Sequence, residues 1–191
     1  PVVQLTSLAD VLRTDQPPTF DAWFETYCVM QWAEIENSLG PWIADTNPKF
    51  GPVTTKNFEL VKALDRRRVP PAIARREHFY RAMRAFLGPR DLLCIPTTPA
   101  PAPIKGSLGM DQRVGDYYRR SLSLTSIAGL CRLPQVSMPL STVPVGDAAN
   151  SISGDATASK TAPVGLSLLG SFGEDIFLLD VVCAIAAALG V

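Results

Sequence analysis

The residues able to do chemistry are few and scattered through this chain of 191 amino acids. Its single histidine, His78, lies among Arg75, Arg76, Glu77 and Arg81 with no serine or cysteine motif beside it, which reads as a solvated helical histidine and not as a general base. The lysines are Lys49, Lys56, Lys62, Lys105 and Lys160, each in a loop or on an exposed helical face, where nothing would desolvate an ammonium and depress its pKa for base work. Paired carboxylates occur twice. Glu34 and Glu36 point to different sides of one helix, and Glu174 with Asp175 suits the N-terminus of a helix, where carboxylates meet the positive end of the dipole. Cys28, Cys94, Cys131 and Cys183 stand far apart in apolar stretches without a CxxC pair, so the expectation is four buried free thiols in a reducing cytoplasm. No GxSxG, HExxH, P-loop or GxGxxG is present, and no His, Cys and carboxylate cluster has metal-ligand spacing. From side-chain chemistry alone there is no catalytic residue to name, no metal and no cofactor.

The elements that would position a site read as α/β. Lysine plus arginine equals aspartate plus glutamate at 18 each, which excludes a field that would gather nucleic acid or an anionic membrane. Arg66-Arg67-Arg68 and the basic helix after it are offset by an equal number of acidic residues in the chain, so they do not read as a nucleic-acid footprint. A hydrophobic fraction of 47% with 19% charged residues describes a globular chain. No apolar run reaches the ~18 residues of a membrane span, because Asp180 interrupts Ile176 to Val191, and Pro1 to Leu12 lack the character of a secretory signal. A soluble, cytoplasmic protein is expected. The chain opens without methionine at Pro1-Val2-Val3-Gln4-Leu5, in what reads as mid-strand, so further sequence is expected upstream.

Residues 1–88 read as mainly helical and 89–191 as strands, loops and a closing helix. Pro18 to Leu39 has helical apolar spacing, with Thr19 or Asp21 as N-cap and Gly40-Pro41 as the stop. Asn47 to Pro52 is a turn, Thr54 caps a helix running to about Asp65, and Ala72 to Leu87 is a third helix. Leu92 to Ile95 is a strand closed by Pro96-Thr97-Thr98-Pro99, and Ala100 to Asp116 a loop. Tyr117 to Ala128 is a helix stopped by Gly129, Gln135 to Pro139 a strand, and Thr142 to Thr161 a surface loop. Val164 to Leu169 is a further strand, and the unbroken apolarity of Ile176 to Leu189 predicts a helix buried on more than one face.

Three stretches carry a resemblance to a known family. Asp91-Leu92-Leu93-Cys94-Ile95-Pro96-Thr97-Thr98-Pro99 is similar to the strand and turn "D-x-L-L-x-P-T-x-P" of the amidase-signature family. Thr125 to Leu140 resembles its helix, loop and strand ending in "G-x-P-x-x-x-x-P". Ala162 to Gly170, followed by Glu174-Asp175 and Leu178-Leu179, looks like its "P-V-G-L-Q-L-x-G" strand and closing helix. Gln31 to Glu34, Gly40 to Ile43 and Phe50-Gly51-Pro52 look like a helix and turn of some members, among them plant-type indole-acetamide hydrolases, so the resemblance runs over nearly the whole chain.

The resemblance implies residues 1–191 as the C-terminal portion of a single amidase-signature domain, α/β, with a mixed β-sheet core covered by helices. It also implies hydrolysis of a carboxylic amide to acid and ammonia. The family's nucleophilic serine, bridging serine, lysine base and glycine and serine-rich oxyanion loop lie in its N-terminal half; nothing here matches "G-G-S-S-G-G", so no catalytic residue carries over and the isolated chain is expected to be inactive. What carries over is part of the acyl pocket's wall at Thr125, Ile127, Ala128 and Gly129, whose small residues would admit a bulky apolar acyl group such as an aryl or indole acetamide; plain helix termination and core packing account for the same four residues equally well. Implied partners are a neutral small-molecule amide, the N-terminal half of the same enzyme and a further copy of the chain. An alternative from the same resemblance is an amidase-like scaffold without catalysis, used for protein binding or docking. The sequence departs from the family at Gln135, where small residues are common, at Ser167, where glutamine is frequent, and in the length of Thr142 to Thr161.

Overall fold

The computed structural model describes residues 3–12, 19–103, 112–144 and 161–190. Contacts divide the chain into two compact units, Pro1–Ala82 and Met83–Val191. The short helix α1 (Leu8–Leu12) opens the first unit, where Ser7 caps it by receiving the Asp10 N–H on its Oγ while Asp10 accepts from the Ser7 N–H and hydroxyl.

Helix α2 spans Phe20–Thr46 and runs through the expected stop at Gly40-Pro41. Proline costs a helix one donor and crowds the carbonyl of residue i−4, yet Asn37 and Pro41 both face solvent, so water can satisfy the orphaned carbonyl. The true stop is Asn47, left-handed at φ 42°, whose N–H bonds the Ile43 carbonyl at 3.0 Å. Helix α3 (Pro52–Lys62) starts two residues before the expected cap, with Gly51 as N-cap and Pro52 in the first turn, where its missing N–H has no intrahelical partner to lose. Arg66–Arg68 form a single 3₁₀ turn capped by Asp65, and α4 (Val69–Phe86) takes Pro70 and Pro71 into its first turn.

Trp23 of α2 and Phe79 of α4, both fully buried, stack at 3.9 Å between ring centroids with planes 20° apart and form the centre of the first unit. Around them, Glu25 meets Arg68 at 3.1 Å and Arg75 at 3.5 Å, while Arg75 Nε donates to the buried Thr26 Oγ1 at 3.1 Å. Burial pushes the Cys28 thiol up to about 11, with nearby Arg68 pulling weakly the other way, so it stays protonated and unreactive at neutral pH.

The second unit is built on a three-stranded antiparallel sheet of order β1-β3-β2, with β1 at Leu92–Pro96, β2 at Gln135–Pro144 and β3 at Thr161–Gly170. β2 is longer than the apolar run suggests. Its register against β3 slips between Met138 and Ser141, where Pro139 cannot donate to the ladder, and pairing resumes from Ser141 opposite Val164. Helix α5 (Gln112–Cys131) leads into β2, and α6 (Asp175–Leu189) follows β3. Met138, Leu168 and Leu178 form the core between α6 and one sheet face, joined by Leu92, Val136, Leu140, Val182, Ile185 and Ala186. Gly170 permits this approach, since a Cβ there would stand 3.5 Å from that of Leu178 and 3.3 Å from Pro134 Cγ.

Two expectations are corrected here. Leu178 is the fully buried side chain of α6 among the described residues, and the far side of the helix leaves Ile176 72% and Leu179 49% exposed, so it is covered on one face and not on several. Cys28 and Cys131 are buried, but Cys94 on edge strand β1 and Cys183 on α6 are exposed. Among the described residues no helix is long and apolar enough to cross a membrane. Most of the expected loop Thr142 to Thr161, at 145–160, and 104–111 of the loop Ala100 to Asp116, lie outside the described residues.

Candidate functional site

Polar side chains converge on the sheet face opposite α6. Alternation along the strands sends Gln135 and Ser137 of β2, Ser167 of β3 and Thr97 at the end of β1 to this side, and Ser137 stands directly across from Ser167 in the ladder. The Ser167 hydroxyl is fully buried and lies 2.8 Å from Ser137 Oγ, 2.9 Å from Thr97 Oγ1 and 2.9 Å from Gln135 Nε2. A hydroxyl has one proton to give and two lone pairs, so three neighbours use it completely. Gly165 makes room for this convergence: a Cβ on it would sit 2.6 Å from Thr97 Oγ1, and its carbonyl accepts the Thr97 N–H at 3.0 Å.

Ser167 is therefore a hub that orients its neighbours and not a nucleophile. The described residues of the second unit contain neither lysine nor histidine, so no general base of either kind faces these hydroxyls. Gln135 keeps its carbonyl oxygen and one N–H beyond the bond to Ser167, and Ser137 is an exposed residue, so the outer rim of the cluster offers neutral donors and acceptors. The arrangement can hold and orient a neutral polar group.

The four residues expected to line an acyl pocket sit on the last turns of α5 and are divided between its faces. Ser123, Ser126, Ile127, Leu130 and Cys131 form the buried stripe at helical spacing, with Ile127 1% exposed and Ala128 at its margin with 7%. Thr125 and Gly129, four residues apart, lie together on the open face, and a Cβ on Gly129 would meet nothing within 4 Å. Gly129 does not stop the helix. The stop is Arg132, left-handed at φ 54°, with Leu133 N–H bonded to the Ala128 carbonyl at 3.0 Å and Arg132 N–H to that of Gly129 at 3.4 Å. These two bonds form a Schellman cap, and an arginine occupies the position where glycine costs least.

The remaining expected chemistry stays apart. His78 is exposed on α4, and Glu36 pairs with Arg66 at 2.9 Å. Glu174 is the N-cap of α6 without a side-chain hydrogen bond; the helix is entered through the Leu178 N–H bonding its carbonyl at 2.9 Å. Sequence reasoning singled out Gln135 and Ser167 only as departures from a pattern and did not foresee their contact. The strand alternation of polar residues at 135, 137 and 167 was the available signal.

No family model matches the chain. Among curated proteins it is 27% identical to amidase 1 of Arabidopsis thaliana over 89% of its own length and 36% of the relative's. It is 31% identical to amidase 1 of Oryza sativa subsp. japonica over 80% of its length and 31% of the relative's. Outer envelope protein 64, chloroplastic, of Arabidopsis thaliana is 30% identical over 81% of the chain and 23% of that protein. The chain thus spans about a third of the length of the amidases it matches. A crystal structure of an amidase superposes with a TM-score of 0.59 at 22% identity, covering 82% of this chain and 33% of that one. The fold is the mixed α/β fold of an amidase, consistent with its C-terminal part.

Proposed function

We propose that the chain is the C-terminal part of an amidase-signature hydrolase, in which it supplies strands of the shared sheet and part of the acyl pocket while the nucleophile and base come from upstream. The observation that carries this reading is the buried Ser167 hub: three strands are spent on a saturated, neutral hydrogen-bonding cluster with no described lysine or histidine beside it. Such a cluster suits the floor of a site completed by other residues. On this reading the open face of α5 at Thr125 and Gly129, with Ala128 at its edge and Ile127 packing the helix beneath, borders the substrate's acyl group. The substrate is a neutral primary amide with a bulky apolar acyl group of the aryl or indole acetamide kind, the product pair is acid and ammonia, and the protein acts in the cytoplasm without a cofactor.

The test is ammonia release from a panel of aryl and alkyl primary amides, by the chain alone and by the longer polypeptide that contains it. The isolated chain should release none, and the longer one should turn over. Gly129→Leu in the longer polypeptide should raise KM for an aryl amide at least tenfold while leaving acetamide within twofold, because it fills open space beside the acyl group. Ammonia from the isolated chain, or no turnover by the longer one, would refute the reading.

A second reading keeps the fold for binding partners without catalysis. It is favoured by the likeness to outer envelope protein 64, a relative named for a location and not for a reaction. A longer polypeptide that folds, turns over no amide and retains a protein partner would select it.

A further inference from the structure

A cleft in the first unit lies apart from the proposed acyl pocket and has its own chemistry. It has a volume of about 220 Å³ and runs between the second half of α2 and the end of α3. Ile35, Ile43, Phe58 and Val61 give it apolar walls, and Gly40 leaves space on one side, since a Cβ there would meet only Glu36 Cγ at 3.9 Å. Its polar lining is made by Glu36, Asn47 and Lys62, of which Glu36 and Lys62 carry charge. Glu36 is already paired, with Arg66 at 2.9 Å. Lys62 has no ion-pair or hydrogen-bond partner among the described residues. Of the two charged groups in the lining, Glu36 is therefore already neutralised and Lys62 is not, beside a slot with room for about one ring or a short branched chain.

We propose that this cleft binds a small monocarboxylic acid with an apolar body, its carboxylate held by Lys62 at the rim and its ring or branched chain lying between Ile43 and Phe58. Lys62 is the group that fixes the sign of the ligand. An amine would meet the unpaired Lys62 with only the engaged Glu36 to receive it, and a neutral body of the same shape would gain the apolar contacts but leave Lys62 as it stands in water. The inference goes beyond the amidase reading and does not depend on it, because every lining residue belongs to the first unit and no bond of the ligand is broken.

The experiment titrates the whole chain, labelled with ¹⁵N, with benzoate and with its neutral isostere benzamide. A ligand of this size should bind benzoate with a dissociation constant on the order of 1 mM. Shift changes should be confined to residues 35–47 and 58–66. Benzamide should bind at least fivefold more weakly, and raising the salt concentration should weaken benzoate alone. Lys62→Gln should weaken benzoate at least fivefold without changing the rest of the spectrum. Gly40→Leu should abolish binding by filling the slot, and since it replaces a helical glycine by a better helix former the fold should persist. Equal binding of benzamide, an unaltered constant in Lys62→Gln, shifts centred elsewhere, or no saturation by 20 mM benzoate would each overturn the proposal.

Discussion

Ser167 shows how one hydroxyl can set the geometry of a site without reacting in it. Its oxygen is fully buried and all three of its hydrogen-bonding positions are used, by Thr97, Gln135 and Ser137. Deleting it in Ser167→Ala removes three bonds at once, but the partners are only part-buried and can turn to water, so the loss should be about 1–2 kcal/mol and not the sum of three bonds. Urea unfolding followed by circular dichroism would measure it. A change below about 0.3 kcal/mol would mean that the hub holds nothing in place. In a double-mutant cycle with Gln135→Ala the two losses should be strongly non-additive, since the second substitution removes a bond already gone. That coupling was not legible in the sequence. Gln135 and Ser167 are 32 residues apart, and their meeting depends on a register that places Ser137 opposite Ser167; a slip of one residue would send the whole polar set to the α6 face. What the sequence did show was a polar residue at alternate positions 135 and 137 of one strand and a lone serine, Ser167, in an otherwise apolar one.

At the scale of elements, the existence and type of the long helices and of the three strands could be read from periodicity, while their ends could not, and the physical reason differs at each end. In α2, Gly40-Pro41 is a strong stop signal that loses because the carbonyl it strands is exposed to water. In α3 a proline that could have marked a turn instead occupies the first helical turn, where it costs nothing. In α5 the visible glycine, Gly129, lies inside the helix and the left-handed residue is Arg132, which no local signal identifies. This last case makes a prediction. A residue with a Cβ held at φ 54° carries a strain of roughly 1–2 kcal/mol that glycine lacks, while the cap's two backbone hydrogen bonds are indifferent to the side chain. Arg132→Gly should therefore raise stability by about 0.5–1.5 kcal/mol, the unfolded chain's added freedom taking back part of the relief. Thermal melting should show the gain. A loss would mean that the arginine side chain contributes more than its backbone strain costs.

For the molecule as a whole, the distribution of apolar surface predicts how the isolated chain behaves. Helix α6 has one face in the core with Leu168 and Met138, and on its other side Ile176 and Leu179 are 72% and 49% exposed, with Leu189 58% exposed at its end and Phe172 49% exposed just before its start. Among the described residues, strands β1 and β2 each also present one edge without a ladder partner. Soluble monomers rarely leave a run of large apolar side chains beside open strand edges, because both features pair with any similar surface they meet. Charge offers no protection, since 18 basic and 18 acidic residues leave the chain with no net repulsion between copies. The isolated chain should therefore self-associate with a strong dependence on concentration and almost none on salt, as seen by light scattering on a size-exclusion column. Ile176→Glu combined with Leu179→Glu should shift it towards monomer while leaving helix content unchanged, because neither side chain contributes to the core of Met138, Leu168 and Leu178. If these faces are covered in a longer amidase-type chain, that chain should bind an apolar-surface dye several-fold more weakly per mole than the isolated one. A chain that stays monomeric at 100 µM, or whose association follows salt and ignores both glutamates, would show that these faces are not what copies of the chain recognise in each other.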